Sequence, residues 1–285
     1  MINRRAFLKL TAGSLFLTDA VSLFAASTQL RKSWKIGICD WDLKATGLPT
    51  SFAIAKELGF EGVQVTYQPD GPDSLALKTN CTRFMEASKL SGVSIASFCI
   101  GTFNSRPLAT TPEAEKWVAE CIETMVEMNI DQVLVPFFGR ADINDNKAQQ
   151  PIVIEKLKRL APLAEKNRKT LAIESYLSAE DHLKLFEAVG SNALRTYYDV
   201  QNSRNKSYDI FHEMELLGKN KLISQIHFKE DRRRLGEGEI NFSKVCETLE
   251  KIGYNGWVVI ESSTQGDWKE SQSANLQFIK KLLNG

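Results

Sequence analysis

The sequence predicts a protein of the α/β class with a (β/α)8 TIM barrel, in which a parallel eight-stranded barrel is surrounded by outer helices. Short runs of β-branched and aromatic residues alternate with amphipathic stretches from Trp34 onward, eight of each. Such alternation is typical of parallel strands joined by crossover helices, and 285 residues are enough for eight units. The runner-up is an open doubly wound sheet, although no G-x-G-x-x-G loop follows the first run.

The elements follow from these runs in order. The predicted strands cover residues 35–39, 62–66, 94–99, 132–137, 170–174, 196–199, 223–228 and 257–261. The predicted helices cover residues 51–58, 75–90, 112–128, 152–166, 179–189, 208–217, 242–252 and 268–283. Two similar turns support the repeat, because GFEGV from Gly59 and GYNGW from Gly253 each stand between a helix and a strand. A glycine there suits the left-handed residue that ends a helix.

Residues 1–27 are predicted to form a signal peptide of the twin-arginine type. The segment NRRAFLK resembles the twin-arginine export motif, and an apolar stretch ending in the small residues AAS follows it. A membrane anchor is the alternative, but Thr18 and Asp19 interrupt a stretch that is short for a span of about 20 apolar residues. We expect cleavage near Ser27 and no stable membrane insertion afterwards. A single catalytic barrel over residues 34–285 would then be exported, with the periplasm as its location.

Composition argues against several classes of protein. The formal net charge is +1 with no long run of one sign, which gives no electrostatic footprint for nucleic acid or an anionic membrane. The five cysteines are scattered without a C-x-x-C pair. They therefore indicate buried apolar residues, and not a disulfide framework or a zinc site.

Four polar residues close successive apolar runs and are the candidate site. Glu174, Asp199, His227 and Glu261 end the runs LAIE, TYYD, ISQIH and WVVIE. The active site of a barrel lies at the carboxyl ends of its strands, where these four side chains would converge. Three carboxylates and an imidazole are ligands for a hard to borderline divalent metal. A single acidic residue at a strand end is usually a capping residue, so the prediction depends on all four positions together.

The remaining histidines give no such signal. His182 and His212 fall on predicted helices, away from the strand ends, and are predicted to be surface residues.

The later part of the chain resembles a known family. The phrases LAIES, YYDVQNS, IHFKED followed by LGEGEINF, and GYNGWVVIES are similar to those of xylose isomerase-like barrels, the sugar phosphate isomerases and epimerases. The resemblance is strongest over residues 170–262. Before that, it consists chiefly of the strand–helix alternation and the phrase LGFEGVQV.

The resemblance implies roles for the four residues. Glu174, Asp199, His227 and Glu261 would bind one divalent ion, commonly Mn²⁺, Mg²⁺ or Co²⁺, with Zn²⁺ as a further candidate. Glu174 and Glu261 would also act as an acid/base pair on opposite sides of the substrate. Gln64 is a departure, because many similar proteins have Glu at that point of the second strand.

The resemblance and the aromatic content together suggest residues that bind substrate. Asn202, Lys229 and Glu237 match positions close to the site in the resembled family. Aromatic residues near the early strand ends would either form an apolar wall against a sugar or belong to the core. They are Trp41, Tyr67, Phe98, Phe103, Phe137 and Phe138. Of these, Trp41, Tyr67 and Phe103 are the predicted substrate contacts.

The predicted activity is that of a metal-dependent isomerase or epimerase of a small carbohydrate. It would remove a proton next to a carbonyl through a metal-stabilised enediolate. Export and the absence of a Gly-rich phosphate loop favour a sugar without phosphate. A lyase or hydratase acting on 3-keto-glycosides is the alternative, and a non-catalytic carbohydrate-binding barrel is another.

Two further points bear on partners. An endonuclease IV-type repair enzyme shares the barrel, but three histidines, a balanced charge and an export signal argue against it. The sequence leaves open whether the protein forms a homo-oligomer.

Overall fold

The computed structural model describes residues 34–262 and 266–284, and they form a closed parallel barrel with outer helices. The strands follow one another around the barrel in chain order, and β1 pairs with β8 to close it. They are β1 (Lys35–Cys39), β2 (Gly62–Thr66), β3 (Ser94–Cys99), β4 (Gln132–Phe137), β5 (Thr170–Ser175), β6 (Leu194–Asp199), β7 (Ile223–Phe228) and β8 (Trp257–Ile260). The predicted fold is therefore confirmed.

The α-helices of the described residues surround this barrel. They are α1 (Thr50–Leu58), α2 (Lys78–Ser91), α3 (Ala114–Glu127), α4 (Gln150–Lys166), α5 (Ala179–Val189), α6 (Val200–Asn205), α7 (Ile210–Lys219), α8 (Phe242–Lys251) and α9 (Trp268–Asn284). Short 3-10 turns follow β3 and β4. Helix α6 was not predicted from the sequence, because it is too short to show an apolar stripe.

The turn between α1 and β2 confirms the predicted role of glycine at the end of a helix. Gly59 ends α1 in the left-handed region with a φ of 88°, and its N–H is bonded to the carbonyls of Ala55 and Lys56. Gly62 then opens β2 with no room for a side chain, because an added Cβ would lie 2.5 Å from the Trp257 ring. The second glycine of this turn therefore makes room for the side chain of Trp257, the first residue of β8.

Parallel register brings the ends of the later strands to one level. Asp199 pairs with His227 across β6 and β7, and His227 pairs with Val259 across β7 and β8. Strand β8 ends at Ile260, so Glu261 is the first residue beyond it. The ends of β5 to β8 therefore lie side by side at the barrel mouth.

The five cysteines are all buried, as predicted. Within the described residues, no helix has the length and apolar character that crossing a bilayer requires. The predicted signal peptide, residues 1–27, lies outside the described residues, so the peptide and export stay predictions.

Candidate metal centre

The four predicted residues meet at the barrel mouth. One ligand atom from each of Glu174, Asp199, His227 and Glu261 lies within 4.8 Å of the others. Glu174 is on β5, Asp199 ends β6, His227 is on β7 and Glu261 follows β8. The first three are buried and Glu261 is half-buried. Four separate strand ends thus build one compact cluster.

The imidazole of His227 directs one nitrogen at the three carboxylates. Its Nδ1 lies 3.3 Å from Glu174 Oε1, 3.3 Å from Glu261 Oε2 and 3.7 Å from Asp199 Oδ2. One imidazole nitrogen and three carboxylates form a donor set that Mn²⁺, Mg²⁺, Co²⁺ or Zn²⁺ accepts. Asp199 Oδ2 is buried and has no hydrogen-bond donor among the described residues. A buried acceptor without a donor is costly, so this cluster fits a bound cation.

Two further predicted residues lie at the cluster. Asn202 donates its side-chain N–H to Glu174 Oε1 at 3.1 Å, and its backbone N–H to Asp199 Oδ1 at 2.8 Å. Lys229 Nζ lies 2.9 Å from Glu261 Oε2 and 3.6 Å from Asp199 Oδ2. Both residues contact the carboxylates directly. Their predicted contact with substrate stays a prediction.

The titration of the cluster reflects burial opposed by neighbouring charges. Burial raises the pKa of Asp199 to about 7, with Lys229 opposing and Glu261 and Glu174 adding to the rise. Burial would also raise the pKa of Glu261, but Lys229 and His227 outweigh it and lower that pKa. For His227, burial favours the neutral ring, yet Glu174 and Glu261 hold its pKa above the usual value. The cluster therefore attracts positive charge.

Ser262 fixes the backbone that carries Glu261. Its N–H donates to Asp42 Oδ2 at 3.0 Å, and its hydroxyl donates to the Arg233 carbonyl at 2.9 Å. Its own carbonyl accepts from Gln272 Nε2 at 2.8 Å. Three separate segments thus hold the residue next to a ligand in place.

Asp40 and Asp42 were missed by the sequence analysis. Asp40 accepts the backbone N–H groups of Gly47 and Thr66 at 2.9 and 2.7 Å, and also the Thr66 hydroxyl at 2.7 Å. Two acidic residues flanking Trp41 directly after the first strand were the available signal. In the structure they organise the loop from β1 and its contact with β8.

The loop after β7 is organised by Glu230 and not by Glu237. Glu230 accepts the backbone N–H groups of Gly236 at 2.7 Å and Ile240 at 3.1 Å. Gly238 packs against the same carboxylate, where any side chain would collide with it. Glu237 is exposed, and its carboxylate accepts the Arg234 N–H at 3.3 Å. The structure therefore does not bring Glu237 to the cluster.

A cavity of about 400 Å³ opens beside the cluster. Its lining combines two candidate ligand carboxylates with uncharged residues from strands β2 to β4 and from the loops after β1 to β4. The lining residues are Trp41, Thr46, Thr66, Gln68, Cys99, Gly101, Thr102, Asn104, Leu134, Pro136, Phe138, Glu174 and Glu261.

The predicted aromatic wall is only partly present. Trp41 and Phe138 line the cavity, as the sequence suggested. Tyr67 and Phe103 have 0% exposure and pack in the hydrophobic core, so neither can touch a ligand in this cavity. For these two residues, the core alternative is the one that the structure supports.

The prediction that His182 is a surface residue was wrong. It is buried in α5, and its Nδ1 donates to the Ser178 carbonyl at 3.1 Å, which leaves Nε2 to accept the Ser175 hydroxyl at 3.1 Å. Leu185 and Phe186 follow three and four residues later on the buried face of this helix. That apolar spacing was the sequence signal for burial. His212 is exposed, as predicted.

The fold and the cluster define the class as a TIM barrel with a candidate metal centre at its carboxyl end. The chain belongs to the xylose isomerase-like TIM barrel family, whose model matches residues 52–282. Comparison of the sequence with curated proteins gave no match.

Several solved structures share the fold at low sequence identity. The 3-keto-D-glucoside 4-epimerase YcjR from E. coli has a TM-score of 0.72 and 16% identity, covering 87% of this chain and 99% of that chain. L-ribulose 3-epimerase has a TM-score of 0.71 and 18% identity, covering 88% and 95%. D-psicose 3-epimerase has a TM-score of 0.71 and 15% identity, covering 88% and 100%. At these identities the likeness establishes the shared fold.

Proposed function

We propose that this protein is a divalent-metal-dependent epimerase or isomerase of a small carbohydrate. The observation that carries the proposal is that two ligand carboxylates, Glu174 and Glu261, also line the cavity beside the cluster. A substrate in the cavity would therefore contact both the cation and two groups able to move a proton. The epimerase activities of the similar structures support the same reaction class.

The proposed mechanism begins with removal of a proton from the carbon next to a carbonyl. A divalent cation bound by the cluster would supply Lewis-acid polarisation of that carbonyl. One carboxylate of the pair takes the proton, and the electron pair of the broken C–H bond moves to the carbonyl oxygen to give an enediolate. For epimerisation, the other carboxyl group starts protonated and gives its proton to the opposite face of the carbon. For isomerisation, the proton goes to the neighbouring carbon and the hydroxyl proton moves to the former carbonyl oxygen.

The neighbours of the two carboxylates suit them to different roles. Lys229 pairs with Glu261 at 2.9 Å and lowers its pKa, which keeps Glu261 ionised and able to accept a proton. Asn202 donates a neutral hydrogen bond to Glu174 at 3.1 Å, which orients that carboxyl group without a full positive charge. Two carboxyl groups in unlike surroundings are typical of acid/base pairs.

The cavity lining favours a substrate without phosphate. Among the described residues, the lining holds two carboxylates and no Lys or Arg, so a phosphate group would meet repulsion and no counter-charge. Thr46, Gln68 and Asn104 offer neutral hydrogen-bonding groups of the kind that sugar hydroxyls need. A free ketose or a keto-glycoside fits this chemistry.

The lyase or hydratase alternative uses the same first step. If the enediolate loses a group from the adjacent carbon, elimination replaces reprotonation. Since one similar structure is a 3-keto-D-glucoside epimerase, keto-glucosides are the first compounds to test for both outcomes.

The test is proton NMR in deuterated water on a panel of ketoses and 3-keto-glucosides with Mg²⁺, Mn²⁺, Co²⁺ or Zn²⁺. Samples with paramagnetic ions are read after chelation. Deuterium incorporation with a new sugar supports the proposal, whereas loss of a leaving group supports the lyase. Bound metal without any exchange would indicate a carbohydrate-binding barrel instead.

The matched variants are Glu174→Gln and Glu187→Gln. We expect Glu174→Gln to lower the rate of epimer formation by at least about 100-fold, the lower range for acid/base catalysis, because inversion needs both carboxyl groups. Glu187 is exposed on α5 and its variant should form the epimer at the normal rate. Unchanged epimer formation in Glu174→Gln would remove Glu174 from the mechanism.

A further inference from the structure

A chain of buried side chains runs below the candidate metal centre, across β2, β3 and β7. Gln225 Nε2 lies 2.8 Å from the Ala96 carbonyl oxygen, and Gln225 Oε1 lies 2.9 Å from Ser97 Oγ. Ser97 Oγ lies 3.0 Å from Gln64 Nε2, and Gln64 Oε1 lies 3.0 Å from His227 Nε2. The four side chains have 0% exposure, so no solvent group competes with these bonds.

The backbone carbonyl at one end sets the direction of every bond in the chain. Ala96 O can only accept, so the amide N–H of Gln225 must face it and the Gln225 oxygen must face Ser97. Ser97 therefore donates its proton to Gln225, and its lone pair accepts from Gln64. The Gln64 oxygen is then left to face His227, which must carry a proton on Nε2.

Cys39 gives an independent check on the orientation of Gln64. Its Sγ lies 3.3 Å from Gln64 Oε1, and a thiol donates to an oxygen far better than it accepts from an amide. The contact therefore favours the same orientation of the amide, with its oxygen towards Cys39 and His227.

We propose that Gln64 is a positioning residue that fixes the tautomer of His227, with its proton on Nε2 and its lone pair on Nδ1. The inference rests on the metal site of the proposed function, because Nδ1 is the atom that faces the three carboxylates. An unprotonated Nδ1 is what a cation at this cluster requires.

The amide of Gln64 has a property that a carboxylate at position 64 would lack. Gln64 accepts a hydrogen bond from His227 and donates one to Ser97. It therefore keeps the same donor-to-acceptor order from β7 through β2 to β3. A carboxylate would accept at both ends and would also place a negative charge next to the imidazole. This protein therefore holds its histidine with a neutral acceptor.

The test measures the tautomer directly with nitrogen-15 NMR of the imidazole rings. Only three histidines are present, which makes the spectrum easy to assign. Spectra are recorded on the Zn²⁺-loaded protein and on the metal-free protein at a pH where His227 is neutral. In the native protein we expect a protonated Nε2 in both states.

The variants separate positioning from a general structural role. Gln64→Leu removes the acceptor, so we expect a mixture of tautomers in the metal-free protein and a Zn²⁺ Kd raised by about 10- to 100-fold, as for other losses next to a metal ligand. Gln64→Glu keeps an acceptor and should restore the Nε2–H tautomer. Gln132→Leu is the control for losing a buried glutamine and should retain the native tautomer. Gln132 is the first residue of β4, at the end of the strand away from the barrel mouth.

A native ring protonated on Nδ1, or an unchanged tautomer in Gln64→Leu, would overturn the inference. Either result is independent of catalysis. Failure of the proposed function would appear as absent exchange or absent Zn²⁺ binding, while the tautomer of the metal-free protein is still measured.

Discussion

The two halves of the barrel mouth are built from different chemistry. The strands β5 to β8 lead to Glu174, Asp199, His227 and Glu261, which together form one acidic cluster. The strands β1 to β4 and their loops supply aromatic, amide and hydroxyl groups to the cavity. The acidic residues on the early side, Asp40 and Asp42, are buried and accept backbone N–H groups. The candidate metal ligands and the neutral groups that line the cavity therefore lie on opposite sides of the barrel mouth.

The comparison suggests that the acidic half (the cluster at β5 to β8) and the neutral cavity lining of the other half (at β1 to β4) can be altered separately. The cluster is held by Asn202 and Lys229 from its own side, and by Gln64 from β2. Changes in the acidic half or at Gln64 should therefore alter metal binding, whereas changes to the neutral residues that line the cavity should alter substrate binding alone.

Asp199→Asn should have the largest effect, because it breaks the acidic half. Asn still caps α6, so the change removes a charge and a ligand with little change of backbone. We expect divalent-metal affinity to fall by more than about 100-fold, since losses beside a ligand already cost 10- to 100-fold. Titration calorimetry measures the affinity, and the rise in Tm on metal addition should disappear.

Asp209→Asn is the control for this variant. Asp209 is exposed and caps α7 through the N–H groups of Phe211 and His212, much as Asp199 caps α6. Its metal affinity should match that of the native protein. Equal affinity in all three proteins would mean that Asp199 is no ligand.

His182→Gln tests a buried histidine that has neutral partners, in contrast to His227, which faces three carboxylates. Burial lowers the pKa of His182 from 6.5 to about 4. The unfolded chain therefore binds more protons in this window, and stability is lost as pH falls through it. The native protein should lose about 3 kcal/mol relative to His182→Gln between pH 7 and pH 4, at about 1.4 kcal/mol per pH unit.

Urea unfolding at several pH values measures this difference. His212→Gln, which removes an exposed histidine on α7, is the control for loss of a histidine. Parallel curves for His182→Gln and the native protein would show that His182 accepts a proton in the fold.

Asn104→Ala should have the smallest effect, because it removes one neutral group from the cavity lining. Loss of one hydrogen bond is worth about 1 kcal/mol, so we expect KM to rise by about fivefold while kcat and metal affinity stay unchanged. Steady-state kinetics on the substrate found by NMR measures the split. Asn255→Ala, in the turn before β8, is the control, and a loss of metal affinity in Asn104→Ala would contradict the division into halves.

The sequence predicted the fold because strand and helix periodicity is local. It predicted the cluster because Glu174, Asp199, His227 and Glu261 repeat one position of the unit at successive strand ends. It could not decide between core and cavity for Tyr67 and Phe103, since both environments are apolar and the choice depends on how neighbouring loops cover the ring.

The loop residues were harder to predict for another reason. Glu230 and Glu237 are equally polar in the sequence, and only the folded loop shows that Glu230 accepts the N–H groups of Gly236 and Ile240. The chain from Ala96 to His227 likewise joins strands far apart in sequence. Its members become meaningful only when the barrel closes.

The directed chain below His227 has a consequence for how this sequence can diverge. Gln64, Ser97 and Gln225 each donate at one end and accept at the other, so a change at one position leaves its neighbour facing a group of the wrong kind. Effects of substitutions at these three sites should be strongly non-additive, as for other residues in one network. A lineage that exchanges Gln for Glu at position 64 should therefore need compensating changes on β3 or β7, and the order in which they arise is constrained.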